Sequence, residues 1–75
     1  MLNDPVQIVA IQIRDLRTQK NWSQEELAEK SGLHRTYIGS VERGERNITL
    51  RTLQRIADAL GCEMTALFPV MAKKP

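Results

Sequence analysis

The chain has 75 residues, 41% of them hydrophobic, with one Trp, one Tyr and one Phe, enough for one small aliphatic core and no second domain. A single Cys excludes an internal disulfide, the single His beside it cannot complete a four-ligand zinc site, and no apolar run approaches the roughly 18 residues of a membrane span. The formal net charge is only +2 but is unevenly placed: residues 1–32 carry four Lys/Arg against five Asp/Glu, whereas residues 33–60 carry Arg35, Arg43, Arg46, Arg51 and Arg55 against Glu42, Glu45 and Asp58.

Asp4 before Pro5 is a good N-cap with proline at the first helical position, and Gln7 is placed to complete a capping box. Val6, Val9, Ala10, Ile13 and Leu16 then recur at helical spacing, so a first helix is predicted to run to about Lys20, with Asn21 tolerating a left-handed turn. Ile8 and Ile11 fall on the opposite face, to be covered by the chain ends, left exposed or used in an interface. Ser23 and Glu26 form an S-x-x-E capping box flanked by Trp22 and Leu27, the positions of a hydrophobic staple. That second helix is predicted to stop near Ser31, because Gly32 follows.

A third helix begins after Leu33 and His34, turns Ile38 and Val41 inward, and stops at Gly44. Thr49 caps a fourth, whose apolar face is Leu53, Ile56, Ala57 and Leu60, ended by Gly61; Met64, Leu67 and Phe68 make a short fifth before Pro69. No alternating strand pattern appears. The expected fold is a compact all-α, five-helix domain over residues 5–70 with a tail at 71–75. No basic stretch followed by an apolar core opens the chain, so no signal peptide is expected and the compartment is cytoplasmic. With disulfide and metal excluded, dimerisation is the expected reinforcement of so small a core.

Residues Gln24 to Arg43 hold two short helices joined through Gly32, the spacing of a helix-turn-helix. In such a unit Ala28 must be small because the second helix crosses it closely. Gly32 meets a demand for positive φ at the turn, and Leu27, Ile38 and Val41 lock the pair onto the first and fourth helices.

The stretches SQEELAEKSGL from Ser23, YIGSVERGERN from Tyr37 and LQRIADALG from Leu53 resemble the lambda-repressor-like (Cro/cI, or Xre-type) DNA-binding family, over about residues 9–68. Within it, HRTYIGSVERGERNIT from His34 is similar to the controller proteins of restriction–modification systems. The resemblance implies a homodimeric, sequence-specific transcription regulator that reads the major groove of a palindromic double-stranded DNA operator with a helix at about 35–43. An antitoxin or a phage-type repressor is the alternative within that class, and a protein-interaction module on the same fold is the alternative outside it.

Carried over by position, Gln24 bonds a phosphate and braces the reading helix, and Arg35, Thr36 and Ser40 face base edges. Arg35 suits guanine O6 and N7, and Thr36 a thymine methyl or a phosphate. Tyr37 and Arg43 hold the DNA backbone, while Arg46 and Asn47 do so or enter the minor groove. Arg17 and Glu42 match a family ion pair that joins the first helix to the end of the third. The last helices of the family supply the dimer seam, which places it on Leu60, Met64, Leu67 and Phe68.

His34 departs from the Ser, Thr or Asp usual as N-cap of the reading helix, and Glu63 from the small polar cap before the last helix. Glu25, Glu26 and Glu29 offer a surface to RNA polymerase or, as preferred here, compensate the helix dipole and aid solubility. Cys62 reads as a small, partly buried thiol. No nucleophile–base pair, metal cluster or phosphate-binding glycine loop is present, so no enzyme activity, cofactor, metal or small-molecule ligand is expected.

Overall fold

The computed structural model describes residues 4–68; the expected domain end at residue 70 and the tail at 71–75 lie outside the described residues. Helices α1 (Pro5–Gln19), α2 (Gln24–Ser31), α3 (Arg35–Glu42) and α4 (Leu50–Leu60) are followed by one 3-10 turn, Met64–Leu67. Among the described residues the expected count of five helices is thus corrected to four and a 3-10 turn. The last segment has only four residues and Glu63 supplies no side-chain cap, so no α-helical hydrogen-bond ladder can be built there.

Local chemistry sets most boundaries. Asp4 Oδ1 accepts from Val6 N at 3.0 Å, Lys20 caps the end of α1, and Asn21 takes the left-handed conformation at φ 61°. Gln7 does not close the expected capping box. Its Nε2 donates instead to the Gly44 carbonyl at 3.3 Å, tying α1 to the loop after α3. The box at α2 is reciprocal, with Glu26 N donating to Ser23 Oγ at 3.0 Å and Ser23 N to Glu26 Oε1 at 2.7 Å. Helix α2 ends at Gly32 with φ 73°, a conformation that disfavours any residue with a Cβ. Thr49 Oγ1 accepts from Thr52 N at 3.1 Å to open α4, whereas His34 opens α3 without a side-chain bond.

Burial then fixes the arrangement. Ile13, Leu27, Ile38, Leu53, Ile56 and Leu67 are fully enclosed, one or more from every element, in a core that also takes Val9, Ala28, Val41, Ala57 and Leu60. Ala28 packs at 5% exposure, as its position under α3 demands. Of the two isoleucines on the other face of α1, Ile8 is half-buried and Ile11 is 49% exposed. Among the described residues no helix is long and apolar enough to cross a membrane.

Two of the four seam residues expected from the sequence are corrected. Leu67 is 0% and Leu60 3% exposed, both inside the protomer's own core. A helix spacing marks them as inward, but only the packing of α1 and α4 around the 3-10 turn shows that their own chain covers them. Met64 and Phe68 are half-buried at the core's edge.

Candidate nucleic-acid interface

Helices α2 and α3 form the helix-turn-helix, and a buried ionic network fixes the angle of α3. Glu42, at the end of α3, accepts from Arg17 Nε at 2.7 Å and Nη2 at 3.0 Å, and from Gln24 Nε2 at 3.1 Å. Arg17 Nη1 also donates to the Trp22 carbonyl at 2.7 Å. The Arg17 and Glu42 side chains are 11% and 3% exposed, so the pair sits where water screens it little. It joins α1, the start of α2 and the end of α3, as the resemblance implied. Gln24 therefore braces α3 with its amide nitrogen.

Two further residues position this unit and were not singled out in the sequence. Arg55 on α4 donates from Nη2 to the Gly32 carbonyl at 3.0 Å, a strap across the turn from 23 residues away. Nothing in local spacing announces it. Gly39 lies buried inside α3, where glycine costs about 1 kcal/mol relative to alanine. A Cβ there would lie 3.2 Å from Arg43 Nη1 and 3.5 Å from Gln24 Oε1. The tighter of these contacts is with the end of the exposed Arg43 side chain; a glycine inside a helix was its only sign in the sequence.

At the other end of α3, Arg35 and Thr36 are exposed. Arg35 stands 3.9 Å from Glu25 with 65% of its side chain exposed, a loose ion pair that leaves the guanidinium accessible. Ser40 does not face outward. It is 7% exposed, and its Oγ donates to the Tyr37 carbonyl at 2.8 Å and accepts from Arg46 Nε at 3.2 Å. The loop after α3 folds back over it, Glu45 N donating to the Ser40 carbonyl at 3.0 Å. Sequence spacing put Ser40 on the same face as Thr36 but could not show the loop lying on top.

Tyr37 is half-buried with the Arg46 guanidinium 5.2 Å from its ring centre, and Asn47 is exposed on the same loop. Arg43 is exposed and bonded to Glu45 at 3.0 Å. That hydrogen bond holds the Glu45 carboxyl below its ordinary range, so it is ionised at neutral pH. The structure thus gathers Gln24, Arg35, Thr36, Tyr37, Arg43, Arg46 and Asn47 on or around one short helix, and removes Ser40 from the outward set. Elsewhere, Cys62 is half-buried, and burial pushes its thiol up. Among the described residues no group of three or more His, Cys, Asp or Glu is placed to hold a metal ion.

A helix-turn-helix family profile matches residues 13–67. The chain belongs to this family. This helix-turn-helix protein is 56% identical to control protein C.SmaI of Serratia marcescens over 64 residues, 85% of this chain and 76% of the relative. Among solved structures, the restriction–modification controller protein C.AhdI from Aeromonas hydrophila superposes with a TM-score of 0.82 at 46% identity, over 84% of this chain and 96% of the other. Controller protein C.Esp1396I, solved as a tetramer in complex with its natural 35 base-pair operator, superposes with a TM-score of 0.83 at 35% identity, over 92% and 91% of the two chains. The expected resemblance to the lambda-repressor-like family and its controller proteins therefore holds.

Proposed function

We propose that this helix-turn-helix protein is a sequence-specific, double-stranded DNA-binding transcription regulator of the controller type, acting as a homodimer on a palindromic operator in the cytoplasm. The observation that carries the reading is the two-ended character of α3. One end is clamped by the buried Arg17–Glu42–Gln24 network, while the other presents the exposed Arg35 and Thr36. A rigid short helix with an arginine and a hydroxyl at its open end is what a major groove accepts: the guanidinium fork matches guanine O6 and N7, and the threonine methyl matches thymine. Gln24 at the start of α2, Tyr37 on α3, Arg43 at its C-cap, and Arg46 and Asn47 on the following loop flank the reading helix as phosphate contacts, which set register and salt dependence, with Arg46 and Asn47 also in reach of a minor groove.

The operator complex of C.Esp1396I supports assembly on DNA. One reading helix spans too few base pairs to be selective alone, and two-fold pairing doubles the site. With Leu60 and Leu67 inside the core, the seam falls to Met64, Phe68 and Leu50, which is 69% exposed and, with Pro5, Val6, Val9, Ile48 and Phe68, lines a shallow, mostly apolar hollow whose rim also carries Asn47. A two-fold axis brings the same patch of each subunit together, so an exposed Leu at the rim of its own apolar hollow meets its counterpart there. Glu25 and Glu26 sit in the first turn of α2, where they compensate its dipole. The reading assigns the chain no catalytic step.

Selection of bound duplexes from a random pool tests the proposal. The expected result is an enriched, two-fold symmetric site with half-sites about 34 Å apart along the duplex. An unenriched pool, with equal affinity for all duplexes at fixed salt, overturns it.

A further inference from the structure

Resting on the DNA-binding reading above, we infer that Ser40 is a positioning residue that presets Arg46 for the operator. Three observations converge on it. The Arg46 Nε is spent on Ser40 Oγ at 3.2 Å, the flat guanidinium lies 5.2 Å from the Tyr37 ring centre, and the Ser40 hydroxyl proton is already used on the Tyr37 carbonyl at 2.8 Å. Ser40 therefore has a lone pair to offer and no proton, and Arg46 Nε has a proton to give. That pairing works in one direction only. The four N–H groups on the two Nη atoms make no hydrogen bond among the described residues, so a ring on one face and a hydroxyl at Nε hold the guanidinium fork in one attitude.

A long side chain already held in its binding geometry loses less freedom when a phosphate or base arrives. Arg43, the neighbouring arginine, lacks this arrangement, being bonded to Glu45 in solvent. The serine that the family resemblance placed at the bases thus acts one step back, through the loop that covers it.

The test is a double-mutant cycle on the full chain, Ser40→Ala, Arg46→Ala and both together. Binding is measured by fluorescence anisotropy on the duplex enriched from the random pool, alongside thermal melting of each variant. Ser40→Ala is expected to weaken operator binding about three- to tenfold, the scale of one unheld long side chain, and to melt with the wild type. In the Arg46→Ala background it is expected to change affinity by less than about twofold. A loss that persists undiminished in that background, a much lower melting temperature, or Ser40→Ala or Arg46→Ala binding like the wild type each overturns the role. A wild-type chain that prefers no duplex overturns the DNA-binding reading as well, and that failure is visible before any variant is made.

Discussion

Replacing Glu42 with Gln removes the charge from the network that orients α3 while keeping the shape of the side chain. In the native protein the carboxylate accepts two hydrogen bonds from Arg17, at 2.7 and 3.0 Å, and one from Gln24 at 3.1 Å. With the Arg17 side chain only 11% exposed, the neutral amide leaves a largely desolvated guanidinium without a counter-charge. Breaking a buried pair in this way costs about 3–5 kcal/mol, and retention of some hydrogen bonds by Gln places the value near the lower figure.

A domain of this length has a total stability of about 4–11 kcal/mol. A loss of about 3 kcal/mol lowers Tm by about 12–24 °C. Far-UV circular dichroism on heating, at one fixed protein concentration because dimers melt with mass action, reads the shift. Replacing both partners with apolar residues of similar volume, Arg17→Met with Glu42→Leu, is expected to recover most of the stability, since no unpaired charge then remains. A Glu42→Gln variant that melts within about 4 °C of the wild type, a loss below about 1 kcal/mol, refutes a stabilising role for the charge pair.

Leu50→Asp is expected to give a folded monomer with poor operator affinity in sedimentation velocity, because the side chain is 69% exposed in the protomer; Leu67→Asp, at 0% exposure, is expected to unfold the chain instead. Arg35→Ala costs about 1–3 kcal/mol on the operator and relaxes specificity at one base pair, whereas Arg43→Ala weakens all duplexes alike; gel shifts on operator and random DNA separate the two. Glu45→Gln frees Arg43 for phosphate and is expected to tighten binding to every duplex with a steeper salt dependence. Because Arg43 holds the Glu45 carboxyl below its ordinary range, the wild type keeps this pair at neutral pH and comes to behave like the variant only as pH falls through that lowered value. Gly32→Ala, which forces a Cβ into φ 73° and to within 2.7 Å of Arg55 Nη2, is expected to cost about 1–2 kcal/mol in thermal melting.

What the amino-acid sequence decided on its own is what a few neighbouring residues can decide. Ser23 and Glu26 close their box across three residues, Thr49 opens α4, Asn21 and Gly32 supply the left-handed turns, and the helical spacing of Ile13, Leu27, Ile38, Leu53 and Ile56 marks the core. The Arg17–Glu42 pair and the braced Gln24 were also legible, but only through resemblance to a family, since 25 and 18 residues of chain separate these partners from Glu42.

Tertiary structure alone decided which inward or polar side chains the rest of the chain covers. Leu60 and Leu67 fill their own protomer, Ser40 disappears under the loop that carries Arg46, Gln7 abandons a local cap for Gly44, and Arg55 reaches across to Gly32. Periodicity gives each side chain a direction relative to its own helix axis. What lies in that direction depends on where separate segments dock, and that is set by the summed packing of the helices on one another rather than by any stretch of neighbours.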